Sequence, residues 1–257
     1  MRIESIAVTH EGRIRENNED NYFVCGTYKE DASLNRMKTE HNEACNEYLY
    51  AVCDGMGGEE FGEKASLIAV ETLNEYWHNN RFDINDYVQK TNSKICDEIE
   101  NSNGMRIGTT LAVLHIKNNI ARAYNIGDSR VYLLRDNKLE QISKDHSQVE
   151  RLIRMNIITP EEAKTHPERH KLTQHLGIFP EEMVIEPFES EKITVETGDI
   201  FLLCSDGLTD ALNDDEIQEI LVSGNSVKDC IKTLLLNAVK KGGTDNITAV
   251  IVKALNN

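Results

Sequence analysis

Between residues 108 and 143 the chain passes through four short apolar or alternating runs in succession, "TTLAVLHI", "IARAYNI", "RVYLLRD" and "KLEQIS". No helical period interrupts them. Asn118-Asn119, Gly127-Asp128 and Asp136-Asn137 separate them as turn signals, so the spacing predicts an antiparallel meander. Helices stand outside this block. Ala65, Ile68, Ala69, Leu73, Tyr76 and Trp77 form one apolar stripe at helical spacing. Ile84, Val88, Thr91, Ile95 and Ile99 form a second, starting near Asp83 and stopping at Asn103-Gly104. A polar helical segment is predicted over 146–176, where Thr159, Pro160 and Glu162 spell a capping box. An amphipathic helix follows over 226–240, closed by Gly242-Gly243. Further strands are read in "SIAVTHEG", "NYFVCGTY", "YLYAVCD", "KITVETGDIFLLCSDG" and "NITAVIVKAL". The polar stretch 28–47 reads as a long surface loop. Strands in blocks, separated by helix pairs, argue against a doubly wound parallel sheet. The expected class is α+β, with helices covering antiparallel sheet.

The chain has 257 residues, 39% of them hydrophobic, which suits one large domain over 1–257. No run approaches the roughly 20 apolar residues that cross a bilayer. The start, "MRIESIAVTHEGR", lacks the apolar stretch and cleavage site of a signal peptide, so the cytoplasm is the expected location. The six cysteines are scattered without Cys-x-x-Cys spacing and read as reduced core residues. A net charge of −16 repels nucleic acid and anionic membrane and attracts divalent cations.

One pattern recurs. "YLYAVCD" ends in Asp54, "DIFLLCSD" ends in Asp206, and Asp245 stands just before "NITAVIV". In an antiparallel sheet the end of one strand lies beside the start of its neighbour, so the three carboxylates can gather at one edge of the core. Asp128, in the turn "NIGDSR", can join them. Unpaired buried carboxylates are expensive and raise each other's pKa. Hard divalent cations relieve both problems through oxygen ligands. No cysteine cluster points to zinc, and the recurring aspartates are oxygen ligands, so magnesium or manganese fits better. Two such ions held by shared carboxylates suit phosphoryl chemistry. A single strand-end aspartate is most often a turn or cap residue, and spacing alone leaves that alternative open.

The wording of the motifs adds to this. "RIRENNED" at 13–20 is followed by "DGMGG" at 54–58, "GTT" at 108–110, "GDSRVY" at 127–132, "DHS" at 145–147, "SDGLTD" at 205–210 and "GTDNIT" at 243–248. In this order the whole chain resembles the metal-dependent protein phosphatases, the type 2C or PPM serine/threonine phosphatases. "ITPEEAKTHPERHKLTQHLG" resembles the flap of their bacterial branch, placed at about 144–180. The resemblance implies a four-layer α-β-β-α sandwich of two antiparallel sheets flanked by helices. It implies Arg15, Asp20 and Asp54 as the catalytic set, with Arg15 gripping the substrate phosphate. It implies Asp54 as a ligand bridging two Mn2+ or Mg2+ ions, the Gly55 carbonyl on one of them, and Asp206 and Asp245 on the other. Glu19 and Asp20 would hold waters on the metals. Asp128 with Asp206 would hold the third ion often found in bacterial relatives. The implied reaction is direct attack of a metal-bridging hydroxide on phosphoserine or phosphothreonine, with phosphorylated proteins and a cognate serine/threonine kinase as partners.

Some residues fall outside that pattern. Met56 stands where part of the family has a histidine, so it cannot donate a proton; His146 in "DHS" is another candidate acid. Cys53 and Cys204 flank metal aspartates but lie in apolar strands, outside any Cys-x5-Arg loop, and read as packing. The alternative function is a catalytically inactive module that only binds phosphoproteins. Retention of Arg15, Asp54, Asp206 and Asp245 speaks against it.

Overall fold

The computed structural model describes residues 1–57, 61–79 and 82–256, with the backbone only of Glu43. Six strands come first: β1 (Arg2–His10), β2 (Asn21–Val24), β3 (Thr27–Tyr28), β4 (Arg36–Ala44), β5 (Glu47–Cys53) and β6 (Gly55–Gly57). Helices α1 (Gly62–His78) and α2 (Ile84–Asn101) lead to β7 (Ile107–Thr109), β8 (Leu111–Lys117), β9 (Ile120–Ile126), β10 (Arg130–Arg135) and β11 (Lys138–Gln141). Short helices α3 (Gln148–Arg154) and α4 (Pro160–Ala163) precede β12 (Phe188–Glu189), β13 (Ile193–Thr194) and β14 (Ile200–Cys204). The chain closes with α5 (Asp206–Thr209), α6 (Asp214–Ser223), α7 (Val227–Lys240) and β15 (Ile247–Leu255).

The strands form two large antiparallel sheets. One has the order β11-β10-β14-β15-β1-β4; the other has β12-β9-β8-β5-β2-β3, with β13 also on β9. Side-chain parity explains the layering. In β14, Phe201 and Leu203 enter the core between the sheets, while Ile200, Leu202 and Cys204 face Leu221, Ile231 and Leu234 of α6 and α7. In β5, Tyr48, Tyr50 and Val52 enter the same inter-sheet core. Leu49, Ala51 and Cys53 face Ala65, Leu73 and Val88 of α1 and α2. Strands covered on both faces read as unbroken apolar runs, which is why β5 and β14 stand out in the sequence. The result is the α-β-β-α sandwich. Among the described residues no helix is long and apolar enough to cross a membrane.

Three expectations need correction. The stretch 28–47 is not a loop: β4 pairs with β1 from Arg2↔Ala44 to His10↔Arg36. It is an edge strand whose outward residues Arg36, Lys38 and Glu40 are charged, as edges that avoid further pairing are. Its inward residues are Met37, Thr39 and His41, and Thr39 meets the Tyr22 hydroxyl of the facing sheet at 2.7 Å. Polar inward residues hid the alternation. The strands of 108–143 are not one meander either, because β8 and β9 belong to one sheet and β10 and β11 to the other. The chain crosses between sheets at 127–129. The segment 146–176 holds two short helices rather than one, although its Thr159–Glu162 capping box is formed. Of the cysteines, Cys53, Cys96, Cys204 and Cys230 are buried, whereas Cys25 is half-buried and Cys45 exposed.

Candidate active site

The aspartates meet at one end of the seam between the sheets. In one sheet Asn21 pairs with Cys53, so the register carried one residue further sets Asp20 opposite Asp54. Both share the inward parity of Tyr22 and Val52. In the other sheet Cys204 pairs with Ala249, which puts Asp206, just past β14, beside Asp245, just before β15. The strand-end argument therefore holds for Asp206 and Asp245, but Asp54 arrives from the facing sheet. Asp128 sits on the crossing at 127–129, close enough to interact with Asp54 and Asp206.

The electrostatics are those of crowded acids, Asp20 buried and Asp54, Asp128, Asp206 and Asp245 half-buried around it. Burial, then Asp20, Asp206, Asp128 and Asp245, hold the Asp54 carboxyl well above the ordinary range. Burial pushes Asp20 up to about 7, against hydrogen bonds from Thr248 and Ser205, with Asp206 and Asp245 adding to the rise. Asp128 is raised by burial, Asp206 and Asp145, and Glu19 by burial. Asp20 is fully buried, and its Oδ1 has no hydrogen-bond partner among the described residues. An orphaned buried carboxylate oxygen among like charges fits a hard divalent cation, and the donor set is all oxygen.

The glycines clear the approach. A Cβ on Gly55 would lie 2.2 Å from the Gly62 carbonyl oxygen and 2.5 Å from that of Glu19. At Gly62 it would lie 2.7 Å from the Glu19 carboxyl carbon. The gap is used: Gly62 N–H, opening α1, donates to Glu19 Oε1 at 3.1 Å, so a carboxylate meets the positive end of a helix. Gly58, third in the run, lies outside the described residues. Gly55→Ala is expected to destabilise the fold by roughly 2–3 kcal/mol, since the clash is with backbone. A denaturant titration within 0.5 kcal/mol of wild type, on the order of measurement scatter, would refute the close approach.

The remaining motif residues form a hydrogen-bonded frame. Ser205 Oγ donates to Asp20 Oδ2 at 2.7 Å. The Asp54 amide donates to Thr110 Oγ1 at 3.0 Å, and Thr110 Oγ1 lies 2.6 Å from Ser129 Oγ. Asn246 Oδ1 accepts from the Glu19 amide at 2.8 Å, and its Nδ2 donates to Asn17 O at 2.9 Å. Arg130 grips Asp145 through Nε at 3.0 Å and Nη2 at 2.7 Å.

Two participants escaped sequence reasoning. Lys29 is fully buried beneath the acids, donating from Nζ to Asn18 O at 2.7 Å; burial depresses its pKa, and Asp20 opposes that. Nothing in "GTYKEDA" marks a lysine for the interior. His170, from the 144–180 segment, places Nδ1 3.7 Å from Asp206 and Nε2 3.6 Å from Asp210. One ligand atom from each of the three lies within 4.8 Å of the others.

Arg15 Nη2 donates to Asp245 Oδ2 at 2.8 Å, placing the guanidinium at the rim of the acids. His146 Nδ1 accepts from the Gly127 amide at 3.3 Å, and burial lowers its pKa, so the ring is neutral. Burial lifts the Cys204 thiol to about 12 and raises Cys53 as well. Neither is a thiolate at neutral pH, in keeping with the packing role.

Known proteins are similar to this chain over most of its length. The family model described as protein phosphatase 2C matches residues 25–250. Protein phosphatase PhpP of Streptococcus pneumoniae is 35% identical over 234 residues, covering 85% of this chain and 94% of that protein. Serine/threonine phosphatase stp of Listeria monocytogenes is 34% identical over 257 residues, covering 95% and 93%. The crystal structure of the Mycobacterium tuberculosis serine/threonine phosphatase PstP/Ppp superposes with a TM-score of 0.82 at 30% identity, covering all of both chains. That of the PstP catalytic domain in complex with 2 manganese ions gives 0.79 at 30% identity, again covering both chains in full. With acids from two facing sheets meeting at one seam, and relatives matched almost end to end, the chain belongs to the protein phosphatase 2C family.

Proposed function

We infer that the chain is a serine/threonine phosphoprotein phosphatase working with Mn2+ or Mg2+, its acids at the seam forming the catalytic centre. The observation that carries the assignment of the site is the orphaned, fully buried Asp20 Oδ1 amid four further aspartates. Asp54, the Gly55 carbonyl, Asp206 and Asp245 would hold two ions. Glu19 and Asp20 would hold water around them, and Asp128 with Asp206 would hold a third. When bound, such ions supply an activated water nucleophile and neutralise phosphoryl oxygens. The chain's own residues do the rest. Arg15 presents a planar fork to two phosphate oxygens. Asp245 positions that fork, Ser205 holds the Asp20 carboxylate, and Thr110 and Asn246 pin the backbone of Asp54 and Glu19. Met56 donates no proton, and neutral His146 is tied through Nδ1 to backbone.

The whole chain, 1–257, acts as one catalytic domain in this reading, with 144–180 as its flap. A cognate serine/threonine kinase supplies its substrates, in the cytoplasm. Manganese-dependent phosphate release from a phosphothreonine peptide tests the activity. Arg15→Lys is expected to lower kcat/KM roughly tenfold and Arg15→Ala roughly a hundredfold, since a bidentate charge-assisted pair is lost in part or whole. Equal activity of both variants with wild type would remove Arg15 from the site.

A further inference from the structure

Beside the acids, the 144–180 segment encloses a groove of about 350 Å³. Arg151 and Arg154, three apart on α3, line it with Met155, Thr173, Gln174 and His146. The groove abuts the catalytic seam. The His146 amide donates to Gly127 O at 2.8 Å, next to Asp128, and His146 O accepts from Thr173 N at 2.7 Å. A few residues earlier, His170 already reaches Asp206 and Asp210.

Charge sets this segment apart. Residues 144–174 carry six Lys and Arg against five Asp and Glu, whereas the remainder of the chain carries 22 against 39. The two arginines are used differently. Arg154 is held by Glu150 at 3.2 Å and by Asp145 O at 3.4 Å. The exposed Arg151 guanidinium has no hydrogen-bond or ion-pair partner among the described residues. A guanidinium left open in a groove presents a fork for a carboxylate or phosphate, and the acidic surface elsewhere repels such a group.

We infer that this groove is a subsite for acidic side chains, carboxylate or phosphorylated, flanking the phosphoamino acid in the protein substrate. The inference rests on the phosphatase reading and adds sequence selectivity to it. An extended peptide advances about 3.3 Å per residue, so the residues within a few positions of the phosphoamino acid are the ones expected to reach the groove. Arg151 is the primary contact, Arg154 the pre-positioned second.

The test compares phosphothreonine peptides that differ only in carrying Glu, Ala or Lys at each of the flanking positions. Each is assayed at low and high salt with manganese, with an aryl phosphate, too short to reach the groove, reporting on the catalytic centre. Wild type is expected to favour Glu over Lys by roughly tenfold in kcat/KM at one or two positions, the preference shrinking with salt. Arg151→Glu is expected to abolish or reverse it while aryl phosphate hydrolysis stays within twofold, about the scatter such comparisons allow. Wild type without an acidic preference would overturn the inference, as would an Arg151→Glu enzyme that keeps it. Arg151-dependent self-association without peptide preference would also overturn it, the groove then being a contact between copies. A wild type inert towards peptide and aryl phosphate alike would remove the inference together with the phosphatase reading, and the aryl phosphate arm separates that result from the others.

Discussion

Stripped of divalent ions, the protein is expected to lose stability as pH rises from about 5 to about 8, by roughly 3 kcal/mol or more. The cause is Asp20, whose carboxyl titrates at about 7 in the fold against an ordinary 3.8. Between those values the folded state binds a proton that the unfolded chain has released. Unfolding then releases a proton, and alkali favours it. The contribution is fully present below the unfolded value and is lost as pH climbs through the folded one. Asp54 and Asp128 are raised in the same direction and add to the loss. For a domain of this size the drop corresponds to roughly 6–12 °C in Tm. Manganese should reverse the trend, because ions compete with protons for the same oxygens and bind only the folded chain. The Tm gain from manganese should therefore grow with pH. Thermal melts at matched ionic strength, with and without chelator, make the comparison. A metal-free Tm that is flat or rises over this range would mean the acids are not mutually strained.

Asp54→Asn is expected to lower phosphatase activity by roughly 1,000-fold or more, since it would remove one of the residues proposed to hold the ions, and yet to stabilise the metal-free protein. Asp54 is half-buried and interacts with Asp20, Asp206, Asp128 and Asp245. An amide of the same shape carries no charge and can donate hydrogen bonds to neighbouring carboxylates. Relief of one like charge is worth about 1–3 kcal/mol, most visible near pH 8, where the wild-type acids are most ionised. Manganese should raise the variant's Tm far less than it raises that of wild type. A variant that is both inactive and less stable without metal would show Asp54 to be a scaffold residue. One that keeps activity within tenfold, about 1.4 kcal/mol in barrier height, would place the ions elsewhere.

The sequence made the acids legible because they interrupt strands buried on both faces. β5 and β14 are unbroken apolar runs, and an aspartate immediately beyond such a run is conspicuous. Caps were equally plain: Asp83 and Thr159 accept from backbone amides as their spacing predicts. What stayed hidden was decided by pairing across the molecule. β4 carries Thr39 and His41 on its inward face, where Tyr22 satisfies Thr39, so no hydrophobic alternation marks it. The change of sheet at 127–129 depends on which strands find each other and leaves only a turn signal behind. The helix α6 passed unread although Asn213 and Glu216 form a capping box, because "DDEIQE" is acidic and only Ile217, Ile220 and Leu221 are buried. Lys29 is interior because Asn18 O and the acids above it supply compensation that only the fold assembles.

Because the acids come from both sheets, the cage they form is only as well shaped as the stacking behind it. Asp20 and Asp54 ride on one sheet, Asp206 and Asp245 on the other, and the spacing between them is set by the side chains sandwiched further along, among them Val52, Leu114, Val250 and Val252. A methyl group added or removed there would slide one half of the cage against the other without touching an oxygen. With the ions held as proposed, affinity for them would be an inheritance of the hydrocarbon interior. Variation deep in that interior gives evolution a dial on metal response that leaves every ligand in place.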